Sequence, residues 1–221
     1  TLLGLGVYPS DDELNLGMLG MHGTVTANFA TEEADVIIAA GIRFDDRIAG
    51  NPKKFGANAE IIHIDIDPAE IGKNKLIDVP IVGDLKNVLE NFNNSVDKLE
   101  HREWVEQLNE WKEEYPLAYE ENKEGKLMPQ EVMKSLDDII QGNAIVTTDV
   151  GQHQMWVAQY LSFNRPNTII SSGGAGTMGF GLPAAIGAQI AKPDEKVVAV
   201  VGDGGFQMTY QELMMVKQYN L

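Results

Sequence analysis

"VVAVVGDGGFQMTYQELMMVKQYNL" occupies residues 197–221, and its reading decides the fold. The first five residues are apolar throughout, as in a strand buried on both faces of a parallel sheet. The turn Gly202-Asp203-Gly204-Gly205 follows, and a helix follows the turn. In an open α/β sheet, ligands bind beyond the carboxyl ends of the strands. The stretch therefore delivers a carboxylate, Asp203, to a ligand-bearing edge.

The same alternation runs through the rest of the chain. Strands are expected at 36–40, 61–65 and 81–82, each closed by a turn signal at Gly41, Asp67-Pro68 and Gly83-Asp84. Leu85, Val88, Leu89, Phe92 and Val96 then fall at helical spacing. From 97 to 126 the composition turns charged. There Trp104, Leu108, Trp111 and Tyr115 make one amphipathic stripe, a packing face for the two tryptophans, which Pro116 ends. Farther on, Val132, Met133, Leu136, Ile139 and Ile140 mark a helix stopped by Gly142. Strands at 144–148, 168–170 and 197–201 follow. Between the last two, "GFGLPAAIGAQIA" reads as a helix with Pro183 in its first turn. The expected architecture is α/β, with two doubly wound, Rossmann-like parallel-sheet domains at 1–96 and 128–221. A helical connector spans 97–127.

Composition narrows the function. The 221 residues carry a formal net charge of −16 and no cysteine. Such a balance excludes a nucleic-acid surface, which needs clustered Lys and Arg. Absent cysteine excludes disulfides and thiolate metal sites and fits a reducing, cytoplasmic setting. No apolar run reaches the roughly 20 residues of a membrane helix, and no signal-peptide pattern opens the chain. "TLLGLGVYP" enters in mid-pattern, as an excised or processed piece would. A phosphorylated ligand would have its charge met by backbone N–H groups, a few placed cations or a metal ion.

Three strand ends of the second half carry unusual residues: "TTDVGQHQMW" (147–156), "SSGGAGTMGFG" (171–181) and the turn around Asp203. Alone, Gly202-Asp203-Gly204 reads as a structural turn. Beside the other two loops, it reads as a site where Mg²⁺ bridges the carboxylate to a diphosphate. Met178 serves equally as core filler or as a prop against a flat ligand held by five neighbouring glycines. Gln152 and His153 serve as ordinary helix-start polar residues or as donors to phosphate. In the first half, "LGMHGTVTAN" and "AAGIRFDDRIAG" stand out. Arg43, Asp45, Asp46 and Arg47 form either a surface ion-pair network or one wall of a dinucleotide site. In the second case Gly41 and Arg43 face phosphates, with His63 and Asp65 near a ribose. No G-x-G-x-x-G fingerprint chooses between flavin, nicotinamide and neither.

Taken together, "GMLGMHGT", "GIRFDDRIAGN", "IIHIDIDPAEIGKNK", "TTDVGQHQMWVAQY", "SSGGAGTMGFGLPAAIGAQIA" and "VVGDGGFQMTYQEL" resemble the catalytic subunits of the acetohydroxyacid synthase (acetolactate synthase) family. These are thiamine-diphosphate enzymes, and the resemblance covers the middle domain and the first half of the diphosphate-binding domain. It implies that Asp203 coordinates Mg²⁺ and that Gly204 and Gly205 cradle the diphosphate. It places Val150, Gly151, Gln152 and His153 along the diphosphate and thiazolium, and Gly176 and Met178 against the aminopyrimidine. For FAD it implies Thr1, Leu2, Met21, His22, Gly23, Gly41, Arg43, Asp65, Ile66, Asp84 and Leu85. Arg47 would grip the carboxylate of the second 2-oxo acid, beside Met21. Catalytic roles thus fall to Gln152, Met178 and Arg47.

The implied reaction decarboxylates pyruvate and joins the two-carbon unit to pyruvate or 2-oxobutyrate, in branched-chain amino acid biosynthesis. The implied assembly is a homodimer or homotetramer, with room for a regulatory subunit. The family's metal site also uses an Asn beyond the Gly-Asp-Gly turn, and a glutamate from an N-terminal domain activates the pyrimidine. Neither falls within these residues, so the chain by itself is expected to be inactive. The competing readings are a flavin-free catabolic acetolactate synthase, a pyruvate oxidase, a glyoxylate carboligase, or a non-catalytic α/β binding module.

Overall fold

The computed structural model describes residues 1–120 and 125–221. Residues 121–124, part of the expected connector, lie outside the described residues. The chain divides into two compact units, Leu19–Pro116 and Thr1–Met18 with Leu117–Leu221. This division differs from the expected 1–96, 97–127 and 128–221 at both ends of the first half.

In Leu19–Pro116, helix α1 (Val25–Glu33) leads into β1 (Val36–Ala40), and the short α2 (Asp46–Ala49) precedes β2 (Glu60–Asp65) and β3 (Val79–Val82). The three strands form one parallel sheet in the order β1-β2-β3. Pro80, which has no N–H for a ladder, sits on the edge strand β3, where that loss is tolerated. Ala39 and Ile61 bury one sheet face against Phe44, Ala49 and Phe55. Helices α3 (Leu85–Asn93) and α4 (Arg102–Glu114) complete the unit. Helix α4 is no free connector. Its Leu108 is buried, and Trp111 meets Phe29 of α1 edge-on at 5.6 Å between ring centroids. The stripe read from the sequence is thus a packing face.

In the other unit, α5 (Pro129–Ile140) is followed by β4 (Ile145–Thr148), α6 (Gln152–Tyr160), β5 (Ile169–Ser171), α7 (Gly181–Ala191), β6 (Val197–Val200), α8 (Asp203–Thr209) and α9 (Leu213–Tyr219). Its parallel sheet has the order β5-β4-β6, so β4 is central and buried at every residue. Met133 and Ile140 of α5 and Val157 of α6 pack with Val146, Phe163 and Ile169. Leu182 and Ile186 bury one side of α7, which packs on β4 and β6. Thr1–Met18 joins this unit through paired bonds: Ser10 Oγ donates to Phe163 O, and Phe163 N donates back to Ser10 Oγ. Among the described residues, no helix is long and apolar enough to cross a membrane.

Candidate cofactor site

Strand register sets this site. Thr148 is level with Ser171 on one side and with Val200 on the other, so β4, β5 and β6 release their loops at one height. The chain leaves β4, forms β5 on one side and returns to form β6 on the other. The carboxyl end of β4 is therefore a topological switch point, where open α/β sheets place their ligands.

The strand ends are tied together by polar side chains that bury well because each is satisfied. Thr147 Oγ1 donates to Gly181 O at 2.9 Å, and Thr148 Oγ1 donates to Ser171 Oγ at 2.8 Å. Gln154 Nε2 donates to the same Ser171 Oγ at 2.6 Å. Asp149 is only 1% exposed. Burial works against its ionisation, but the N–H groups of Gly181, Val150 and Gly179 outweigh that cost. With His153 they hold its carboxyl below the usual carboxylate range. Burial lowers the pKa of His153, and Asp149 opposes that shift in part.

The structure brings Val150, Gly151, Gln152, His153, Gly176, Met178, Asp203, Gly204 and Gly205 to the three loops of this one edge. His153 Nε2 is buried without a partner, a polar atom left over for a ligand. A Cβ on Gly151 or Gly202 would meet the His153 ring at 3.0–3.2 Å, so both glycines keep the backbone close to it. Met178 is 46% exposed at the loop surface rather than buried in the core. These features fit a diphosphate-bearing cofactor. The Gly-Asp-Gly turn differs from expectation, since Asp203, Gly204 and Gly205 form the first turn of α8, with Gly202 as its N-cap. Among the described residues no three His, Asp or Glu side chains cluster as a metal site, and Asp203 stands there as a single exposed carboxylate.

Asp149 is the residue that sequence reasoning missed. The signal was an ionisable side chain directly after the short strand β4, with no break between them.

The residues assigned to FAD fall in both units. Gly41, Asp65, Ile66, Asp84 and Leu85 lie at the carboxyl ends of β1, β2 and β3, tied by Gly41 N to Ile64 O and Gly83 N to Asp65 O. Thr1 and Leu2 belong to the other unit, where Leu2 packs on its core. Met21, His22 and Gly23 precede α1, and Met21 N donates to Arg47 O at 2.8 Å. Arg43 is committed to Asp45, with Nε and Nη2 both on Oδ2 at 3.0 and 2.9 Å, while Asp45 Oδ1 caps α2 at Ile48 N. This is a surface ion pair, with the Arg43 side chain 56% exposed. Arg47 approaches Asp46 only at 3.7 Å, with its side chain 71% exposed. Beside Met21 and Asp46, a cavity of about 480 Å³ runs between Gly20, Asn28, Asn51 and Phe55.

His63 requires correction: it is fully buried, edge-on to Phe44 at 5.1 Å, and both ring nitrogens lack a partner. Strand alternation puts it on the same face as Ile61, and it is the burial of its ring among core residues that closes it to a ribose. His63→Leu is expected to stabilise the unit by about 1–2 kcal/mol, because it removes unsatisfied buried polar atoms. A urea midpoint that falls instead would show that His63 has an essential polar partner.

Residues 1–92 match the family model described as the thiamine pyrophosphate enzyme central domain. Residues 149–221 match the C-terminal thiamine pyrophosphate binding domain. The chain belongs to the thiamine pyrophosphate enzymes. Within them it is 50% identical to the chloroplastic acetolactate synthase of Arabidopsis thaliana, over 100% of this chain and 34% of that protein. It is 50% identical to the acetolactate synthase large subunit of Lactococcus lactis, over 100% of this chain and 38% of that one. The chain spans about a third of the length of the curated relatives it matches.

Proposed function

We propose that this chain forms the thiamine-diphosphate-binding part of an acetolactate synthase. That enzyme would join the two-carbon unit of one pyruvate to a second pyruvate or to 2-oxobutyrate. The observation that carries the proposal is the level release of three glycine-bearing loops at the switch point on β4. When bound, the cofactor supplies carbanion stabilisation. The protein's own share is placement. His153 offers an unpartnered ring nitrogen, Gly151 and Gly204 bring backbone close, and Met178 supplies an apolar prop. Asp203 is the residue to hold Mg²⁺ against the diphosphate.

In Leu19–Pro116, Arg47 is the cation for a 2-oxo acid carboxylate, because its link to Asp46 is long and exposed and so easily exchanged. FAD is assigned to the carboxyl edge of β1-β2-β3. There the space beside Gly41 is open, and Asp65 ends the neighbouring strand β2.

Calorimetry of the chain with thiamine diphosphate, with and without Mg²⁺, tests the reading. Binding is expected to be saturable and to need Mg²⁺. A ligand at about 100 times its Kd should add about 2.7 kcal/mol of stability. Asp203→Asn is expected to weaken the Mg²⁺-dependent affinity by about tenfold, or about 1.4 kcal/mol. If Asp203 is only a helix-start acid, the variant should lose about 0.3–1 kcal/mol of stability and keep the full affinity. That result, or no binding by the wild-type chain, overturns the proposal.

A further inference from the structure

The geometry points to Asp149 as the positioning residue that fixes Met178 and the start of α7 beside α8, a role that rests on the thiamine diphosphate reading above. Its Oδ1 accepts from Val150 N at 2.9 Å and from Gly179 N at 3.1 Å, while Oδ2 accepts from Gly181 N at 2.8 Å. One carboxylate thus joins the end of β4 to the loop that follows β5. On its other side stands α8, where Gly205 leaves no room for a Cβ against the carboxyl group. The same helix grips the loop a second time, through Thr209 Oγ1 donating to Gly179 O at 3.1 Å.

Met178 directly precedes this doubly held Gly179, and its Cε lies 3.3 Å from where a Gly204 Cβ would stand. Earlier in the loop, Gly174 and Gly176 have nothing within 4 Å of a would-be Cβ. The loop is therefore close-packed on Leu3 at Gly173, open at Gly174 and Gly176, and pinned where Met178 emerges. An ionised carboxylate suits the task because all its bonds here are accepted ones, and charge-assisted bonds to amides are short and strong. An amide side chain would turn an NH₂ toward one of these N–H groups.

Asp149 also acts as an internal anion at the start of α7. It uses the Gly179 and Gly181 amides, which are then closed to phosphate. The diphosphate must be met from the 151–153 and 202–204 segments instead.

The test compares the wild-type chain with Asp149→Asn. Calorimetry with thiamine diphosphate and Mg²⁺ is paired with NMR of the Met178 methyl group and of the Val150, Gly179 and Gly181 amides. The variant is expected to keep its helical circular dichroism and shift the Met178 methyl while leaving the methyls of Val157 and Ile186 in place. It should bind about tenfold or more weakly, as misplaced binding groups do. In the wild type, the three amides should titrate together through one carboxyl transition below the usual aspartate range. His153, the titratable neighbour, is followed separately by its ring protons. A variant with unmoved Met178 and full affinity overturns the inference, as do amides that titrate apart. If Asp149→Asn does not fold, the wild-type titration decides. If the wild type binds no thiamine diphosphate, the functional proposal fails, while the titration and the Met178 shift still decide the role of Asp149.

Discussion

Gly205→Ala is expected to lower the stability of its unit by about 2–3 kcal/mol and to abolish thiamine diphosphate binding, whereas Gly204→Ala leaves stability unchanged or raised. The two glycines are adjacent in the first turn of α8, but they face different neighbours. A Cβ on Gly205 would overlap Asp149 Oδ1 and Cγ. That carboxyl group cannot step aside, because three backbone amides hold it. The helix must move instead, and overpacking of this kind costs about 1–3 kcal/mol, with the lost amide bonds added. A Cβ on Gly204 would meet only the end of Met178, a flexible side chain, at 3.3 Å. Its helix propensity then returns about 1 kcal/mol. Urea denaturation separates the pair, and calorimetry adds the functional half. If Gly204 is the close-approach position for the diphosphate, Gly204→Ala keeps its fold and loses affinity. Equal urea midpoints for the two variants would refute the assigned contacts.

Much of the fold was legible because short apolar runs ended in turn residues. The strand expected at 36–40 is β1 itself, and the helix with Pro183 in its first turn is α7. What stayed hidden was long-range. Helix α1 has no strong apolar stripe in VTANFATEE, and the Thr24 N-cap on Ala27 N together with packing on α4 accounts for it. The start of α8 was misplaced because Gly204 and Gly205 argue against a helix by propensity, and burial of Gly205 against Asp149 overrides that. Attachment of Thr1–Met18 to the later residues depends on bonds between Ser10 and Phe163, which no local pattern announces.

At the cofactor site, the loops were readable as glycine-rich strand ends. Their organiser was not, because an aspartate at a strand end looks like any other turn residue. At the other sheet, chemistry read from residue types alone was too generous. His63, read from its type as a ribose neighbour, faces the core.

Gly20→Ala tests what holds Met21 N against Arg47 O, and it is expected to be the more costly of two glycine changes in this unit. Gly20 sits at φ +103°, where a side chain is strained, and its Cβ would overlap Arg47 O and come within 2.9 Å of Ile48 Cα. Both neighbours are backbone and cannot rotate away. Asn28 clamps Gly20 from the other side, accepting its N–H at 3.1 Å and donating to its carbonyl at 3.1 Å. The residue is held between two walls so that Met21 N can reach Arg47 O. Strain and overlap together are expected to cost on the order of 3 kcal/mol. Gly50→Ala is the control: its φ of +55° carries strain, but its Cβ would meet nothing within 4 Å. That change carries strain alone, about 1–3 kcal/mol, with no overlap added to it. Urea midpoints measure both, and amide exchange at Met21 reports whether its bond to Arg47 survives. Exchange at Met21 should quicken in Gly20→Ala and hold steady in Gly50→Ala. Equal losses in both would mean that backbone strain alone, and not the close approach to Arg47, requires glycine at position 20.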